Sequence, residues 1–121
     1  MSYPAVRTFI PAQVKEEVAS MYEHTKVTAV VKAARIKLMD LLHVKCIGQE
    51  KLWIVTSATL ERMMGPEGLE GRQLTLDSIK ESRREVLEYL QIAFGRSVDW
   101  PEIRAKALRI FGADGLERYA D

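Results

Sequence analysis

The sequence predicts an all-α protein of four to five helices led by a long N-terminal helix, and three observations carry that expectation. Residues 12–47 contain neither Gly nor Pro. Helix-start patterns stand at Thr75 and Asp99, and Gly or Gly-Pro punctuation follows the apolar-periodic stretches. An apolar fraction of 47% with 29% charged residues is an ordinary globular balance, and 121 residues suffice for one core without covalent staples.

The first ten residues form an arm carrying Tyr3, Pro4, Val6, Phe9 and Ile10, with no evident structure of its own and an expected packing partner elsewhere. Residues 11–121 are expected to make a single α-helical domain.

In the long helix that follows, Val27, Val30, Val31, Ala34, Leu38, Leu41 and Leu42 fall within an arc of roughly 120° at helical spacing, the width of a core-facing stripe. Val14, Val18, Met21 and Thr25, continued by Ala29, Ala33, Ile36 and Met39, make a second apolar stripe on nearly the opposite side. The two belong together only if the helix is continuous, which is the reading adopted. The alternative is a break near His24-Thr25-Lys26, with Thr25 capping the second piece.

Gln49 to Met64 ends at Gly65-Pro66, a helix stop in which Gly tolerates a left-handed cap and Pro cannot continue the ladder. Its start is ambiguous: Leu52-Trp53-Ile54-Val55-Thr56 suits a helix, the reading adopted, or one short strand near residues 51–56. The run Gly65-Pro66-Glu67-Gly68-Leu69-Glu70-Gly71 is the clearest loop and divides the chain into two helical halves. No internal repeat is detected.

Thr75 caps a helix over 76–94, with Leu74 and Ile79 at staple positions and Gly95 beyond its end. Its apolar face reads Leu76, Ile79, Val86, Leu87, Leu90, Ala93 and Phe94, against a solvated face of Lys80, Glu81, Arg84 and Glu88. Asp99-Trp100-Pro101-Glu102 gives an acidic cap, an early Pro and a Glu three residues on, so a helix runs from about Trp100 to Phe111. Gly112 closes it, and Asp114-Gly115-Leu116-Glu117 starts a short final turn.

Charge excludes some functions and leaves others weak. Eighteen basic and seventeen acidic residues leave a net +1, so no whole-molecule field draws the chain onto nucleic acid or an anionic membrane. The single Cys46 excludes an internal disulfide and, with no signal-peptide pattern, points to the cytoplasm. His43 and Cys46 form an H-x-x-C pair, but His24, nineteen residues off, is the only other histidine, which leaves a metal site short of ligands. Glu16-Glu17 and Glu67/Glu70 read as hydrated surface acids, and the glycine-rich loop lacks both GxGxxG and GxxxxGK[ST]. No catalytic residue, cofactor or metal is expected.

The second stripe is therefore the candidate site: a helix apolar on two opposed sides must cover both, and a chain of this size has few further helices to do it. Val14, Val18, Met21, Tyr22, Ala29, Ala33, Ile36 and Met39 are expected to bind a partner protein or a second copy in a helical homodimer. The function expected is that of a non-enzymatic regulatory protein of anti-activator, adaptor or inhibitor type. The alternative is a small DNA-binding transcriptional regulator using the C-terminal helices, with Arg104, Lys106, Arg109 and Arg118 as its cations and Asp114, Glu117 and Asp121 against it.

Overall fold

The computed structural model describes the backbone of residues 12–120 and the side chains of residues 26–120. Four α-helices, α1 (Ala12–Lys45), α2 (Glu50–Met64), α3 (Leu76–Phe94) and α4 (Trp100–Phe111), are joined by short loops, with 3-10 turns at Leu69–Gly71 and Leu116–Tyr119. Among the described residues there is no strand: Leu52 to Thr56 lie inside α2, where Trp53 and Thr56 face neighbours and Ile54 and Val55 face solvent. Helical spacing, rather than the β-branched composition, decides that segment, because only three or four of its side chains can be sheltered.

The backbone of α1 is helical without interruption through His24-Thr25-Lys26. Its expected core face is the observed one: Val31, Ala34, Leu38 and Leu42 are buried, Val27, Val30 and Leu41 pack against them, and Cys46 joins just beyond the helix end. Buried residues at that spacing meet Leu60 and Met64 of α2, Ile79, Val86, Leu90 and Phe94 of α3, and Ile103, Ala107 and Phe111 of α4 in one cluster. Burying such side chains contributes about 1.5–3 kcal/mol each and dominates the stability of the bundle.

The helices form a ring in which α1 runs beside α2 and α4, and α3 beside the same two, whereas among the described residues the backbones of the diagonal pairs α1–α3 and α2–α4 do not approach as closely and share only the side-chain core. Exchanging the pair α1–α2 with the pair α3–α4 leaves this set of neighbours unchanged, as an approximate twofold axis requires. The correspondence extends to residues. Val31, Ala34, Arg35, Leu38, Leu42 and Cys46 match Ile79, Ser82, Arg83, Val86, Leu90 and Phe94, and Thr56, Leu60 and Met64 match Ile103, Ala107 and Phe111; apart from the two arginines all are buried.

Each pair is closed by the same turn. Gly65-Pro66-Glu67-Gly68-Leu69-Glu70 and Gly112-Ala113-Asp114-Gly115-Leu116-Glu117 share the pattern Gly-x-acid-Gly-Leu-Glu. Gly65 (φ −89°, ψ −161°) and Gly112 (φ −85°, ψ −160°) end their helices alike, and Gly68 (φ −120°, ψ −129°) and Gly115 (φ −117°, ψ −125°) lead the 3-10 turns alike. The Gly68 and Gly115 amides donate to the Gly65 and Gly112 carbonyls at 2.9 Å in both copies. Leu69 and Leu116 are buried beneath the turns, and Glu70 and Glu117 accept from Arg35 (2.8 Å) and Arg83 (3.3 Å). The chain thus repeats one unit twice, contrary to the expectation of no repeat. The sequence conceals this because α2 has 15 residues where α4 has 12, and core identity drifts between Thr, Ile, Leu and Ala.

Two caps differ from expectation. Gly65 is not left-handed; glycine is needed there because a Cβ would collide with the Glu61 carbonyl, and the one positive φ among the described residues belongs to Gly48 at 82°. Asp99 occupies the cap position of α4 but makes no cap hydrogen bond, its carboxylate lying 3.4 Å from Lys45 instead. Thr75 caps as expected, its hydroxyl accepting from the Ser78 amide at 3.1 Å while the Ser78 hydroxyl accepts from the Thr75 amide at 2.9 Å. At 34 residues against 19, α1 outruns its counterpart α3 by about 22 Å at 1.5 Å per residue.

Candidate partner-binding groove

The outward flank of α1 is where the described part of the second stripe lies. Ala29 and Ala33 are exposed and Ile36 is 51% exposed. Met39, placed in the same stripe by periodicity, stands nearer the core face and packs against the cluster. Val14, Val18, Met21 and Tyr22 fall on the helical backbone of α1, but their side chains lie outside the described residues, as does the arm of residues 1–10.

Ala29 and Ala33 continue into a groove of about 600 Å³ between α1, α4 and the closing 3-10 turn. Its apolar floor is made by Ala29, Val30, Ala33, Leu41, Ile110 and Tyr119. The groove exists because the α1 side chains along it are small, so the helices of this pair do not fill the space between them. At the corresponding place in the other half, Tyr89 stands where Leu41 does and bonds Thr56 at 3.2 Å, and Glu81 stands where Ala33 does and lies 4.0 Å from Arg72.

Cations surround the floor on three elements: Lys37 from α1, Lys106 and Arg109 from α4, and Arg118 from the turn, with Asp114 the one acid. Lys106 is held by Glu102 at 2.8 Å, and Lys45 approaches Glu102 at 3.6 Å. The hydrogen bond from Lys106, its charge and then the charge of Lys45 hold the exposed Glu102 carboxyl below the usual range for glutamate. The Arg118 guanidinium lies 5.6 Å from the centre of the Tyr119 ring, a cation–π distance that keeps it at the groove mouth. Arg104 is exposed on α4 and does not line the groove.

His43 and Cys46 lie in different surroundings. His43 is exposed and stacks on Trp53, with ring centroids 4.5 Å apart, whereas Cys46 is buried, and that burial pushes its thiol pKa up and disfavours the thiolate. Among the described residues no three His, Cys, Asp or Glu side chains gather as a metal site, and no helix is long and apolar enough to cross a membrane.

Periodicity located Ala29, Ala33 and Ile36, but not the groove beside them. At helical spacing Lys26, Lys32, Arg35 and Lys37 share no stripe, and Leu41 falls in the core-facing one, so periodicity alone brings neither Lys37 nor Leu41 to a groove. The signal that finds the groove is the repeated Gly-x-acid-Gly-Leu-Glu turn, since aligning the two halves on it exposes the positions where they differ. Comparison of the chain with protein-family models, with curated proteins and with solved structures finds no match in any of the three.

Proposed function

We propose that this protein works without chemistry of its own, as a small regulatory protein of anti-activator, adaptor or inhibitor type that binds another protein through the outward flank of α1 and the adjoining groove. The observation that carries the reading is the continuity of exposed apolar surface from Ile36 through Ala33 and Ala29 into an apolar-floored groove. The backbone of α1 runs for 34 residues where its counterpart α3 has 19, which gives the flank added length. The same flank serves a second copy equally well, and a homodimer in the cytoplasm, where the lone Cys46 stays reduced, belongs to the proposal.

The test is Ile36→Asp together with Ala33→Glu, both at exposed helix positions where the fold tolerates charge. Circular dichroism checks folding, light scattering reads the mass, and affinity capture from the native cell reads bound proteins. The expected result is a folded monomer that has lost its captured partners. Unchanged mass together with an unchanged set of partners refutes the reading.

A second reading, a DNA-binding regulator, draws support from Lys106, Arg109 and Arg118 lying about one groove on the C-terminal elements. It requires duplex binding at low salt that weakens on Arg104→Ala and Arg109→Ala. A flat gel-shift titration removes it.

A further inference from the structure

We propose that the groove between α1, α4 and the closing turn takes an acidic amphipathic helix from the partner protein, its apolar side on the floor and its carboxylates on the surrounding cations. This deepens the reading of the groove as a protein-binding site and rests on it.

The fold repeats one unit twice. A residue that the fold itself requires recurs in both units, as Leu69 and Leu116 do beneath the turns and Glu70 and Glu117 do with their arginines. Three of the four groove cations fail that criterion. Lys37 corresponds to Glu85, Lys106 to Thr59 and Arg118 to Gly71, and only Arg109 corresponds to another cation, Arg62. Ala29 and Ala33 correspond to Asp77 and Glu81. One half of the molecule therefore carries Ala29, Ala33 and Lys37 where the other carries Asp77, Glu81 and Glu85, and nothing in the common fold asks for the difference.

Shape and charge then select the occupant. Ala29 to Leu41 spans thirteen residues of α1, about 18 Å, which matches three or so turns of a docked helix. A helix in a groove presents apolar anchors at i, i+3, i+4 and i+7, with flanking positions free to carry charge. Four cations stand against one acid on the rim and Lys106 is already paired with Glu102, which leaves a surplus of two positive charges for those flanking positions to meet. A nucleic acid would satisfy the cations but leave the floor of Val30, Ala33, Leu41 and Ile110 without an apolar partner. The chain's own residues 1–11, whose only charged side chain is Arg7, do not complement the rim.

The experiment is a selection from a random helical peptide library against the full-length protein, with binding sites mapped by amide chemical shifts. Enriched peptides are expected to carry Asp and Glu flanking Leu, Ile or Phe at helical spacing and to shift resonances of Val30, Lys37, Arg109 and Arg118. Their affinity should fall about tenfold or more when both Lys37 and Arg109 are changed to Glu, and should fall again as salt shortens the screening length. Ala33→Leu, which narrows the floor without touching charge, should weaken the same peptides. Selected peptides that are neutral or basic overturn the inference. So do acidic ones that map to Ile36 outside the groove, an outcome that leaves the protein-binding reading standing. Duplex DNA that displaces the peptides at comparable concentration overturns both in favour of the nucleic-acid reading.

Discussion

Arg35 Nη1 lies 2.8 Å from Glu70 Oε2 and donates a second hydrogen bond to the Met64 carbonyl at 3.2 Å, so one guanidinium ties the middle of α1 to the end of α2 and to the turn beyond it. The side chains are 12% and 10% exposed, whereas those of the equivalent pair, Arg83 and Glu117, are 29% and 23% exposed. The same contact is thus sheltered in one unit and partly hydrated in the other.

Breaking the sheltered pair should therefore cost more. Arg35→Ala leaves a nearly buried carboxylate without its partner and is expected to destabilise by about 3–5 kcal/mol, whereas Arg83→Ala should cost about 1 kcal/mol or less. Replacing both Arg35 and Glu70 by Met and Leu should recover most of the loss, since an apolar pair leaves no stranded charge. Urea denaturation with unchanged slopes measures all three. Equal losses for Arg35→Ala and Arg83→Ala would show that burial does not separate the two contacts.

The closing turns make a prediction of their own. A Cβ on Gly68 would run into the Met63 carbonyl, and one on Gly115 into the Ile110 carbonyl, both backbone atoms that cannot rotate away. Gly68→Ala and Gly115→Ala are expected to lose stability by similar amounts, about 1–3 kcal/mol or somewhat more, from overpacking alone. Gly48→Ala, with nothing within 4 Å of the new methyl, should carry only the conformational cost of its φ of 82°, roughly 1–2 kcal/mol. Melting temperatures of the three variants settle the order.

Burial raises the Cys46 pKa, so native protein should react slowly with a thiol-directed disulfide reagent and unfolded protein quickly. The folded-state pKa lies above that of the unfolded thiol. The stabilising contribution is therefore complete below the unfolded value of about 8.5 and declines as pH rises above it, because the unfolded chain releases its proton first. Fast labelling of native protein at neutral pH would contradict the placement of Cys46 against the core.

For Glu102 the sign is opposite. Its folded-state pKa is lowered, first by the hydrogen bond and charge of Lys106 and then by Lys45, so whatever stability it contributes is present above the unfolded value and lost as pH falls through the folded one. Carbon-detected titration of its carboxyl should give a midpoint below about 4.3. Lys106→Met should raise that midpoint more than Lys45→Met does, and the reverse order would assign the wrong cation as the principal partner.

The local elements were legible in the sequence. The Thr75 cap, the stop at Gly65-Pro66 and the buried spacing of Val31, Ala34, Leu38 and Leu42 follow from contacts within a few residues, which chain order displays directly. Asp99 shows the limit: the residue stands at its expected cap position without a cap bond, and the Lys45 ammonium beside its carboxylate is more than fifty residues distant. Met39 shows another, since its place beside Ile36 in a stripe says nothing about which helix will cover it.

By itself the sequence determined that this chain is mainly helical, where α2, α3 and α4 end, and which face of α3 and of the described part of α1 is apolar, because those properties rest on periodicity and on backbone groups close in the chain. Only the tertiary structure decided that two unlike halves repeat one unit, that Met39 is sheltered while Ile36 and Ala33 are not, and that Lys37, Lys106, Arg109 and Arg118 converge on one groove. Coverage and convergence depend on which surfaces meet when the ring of helices closes, and that is settled by packing among residues far apart in the chain.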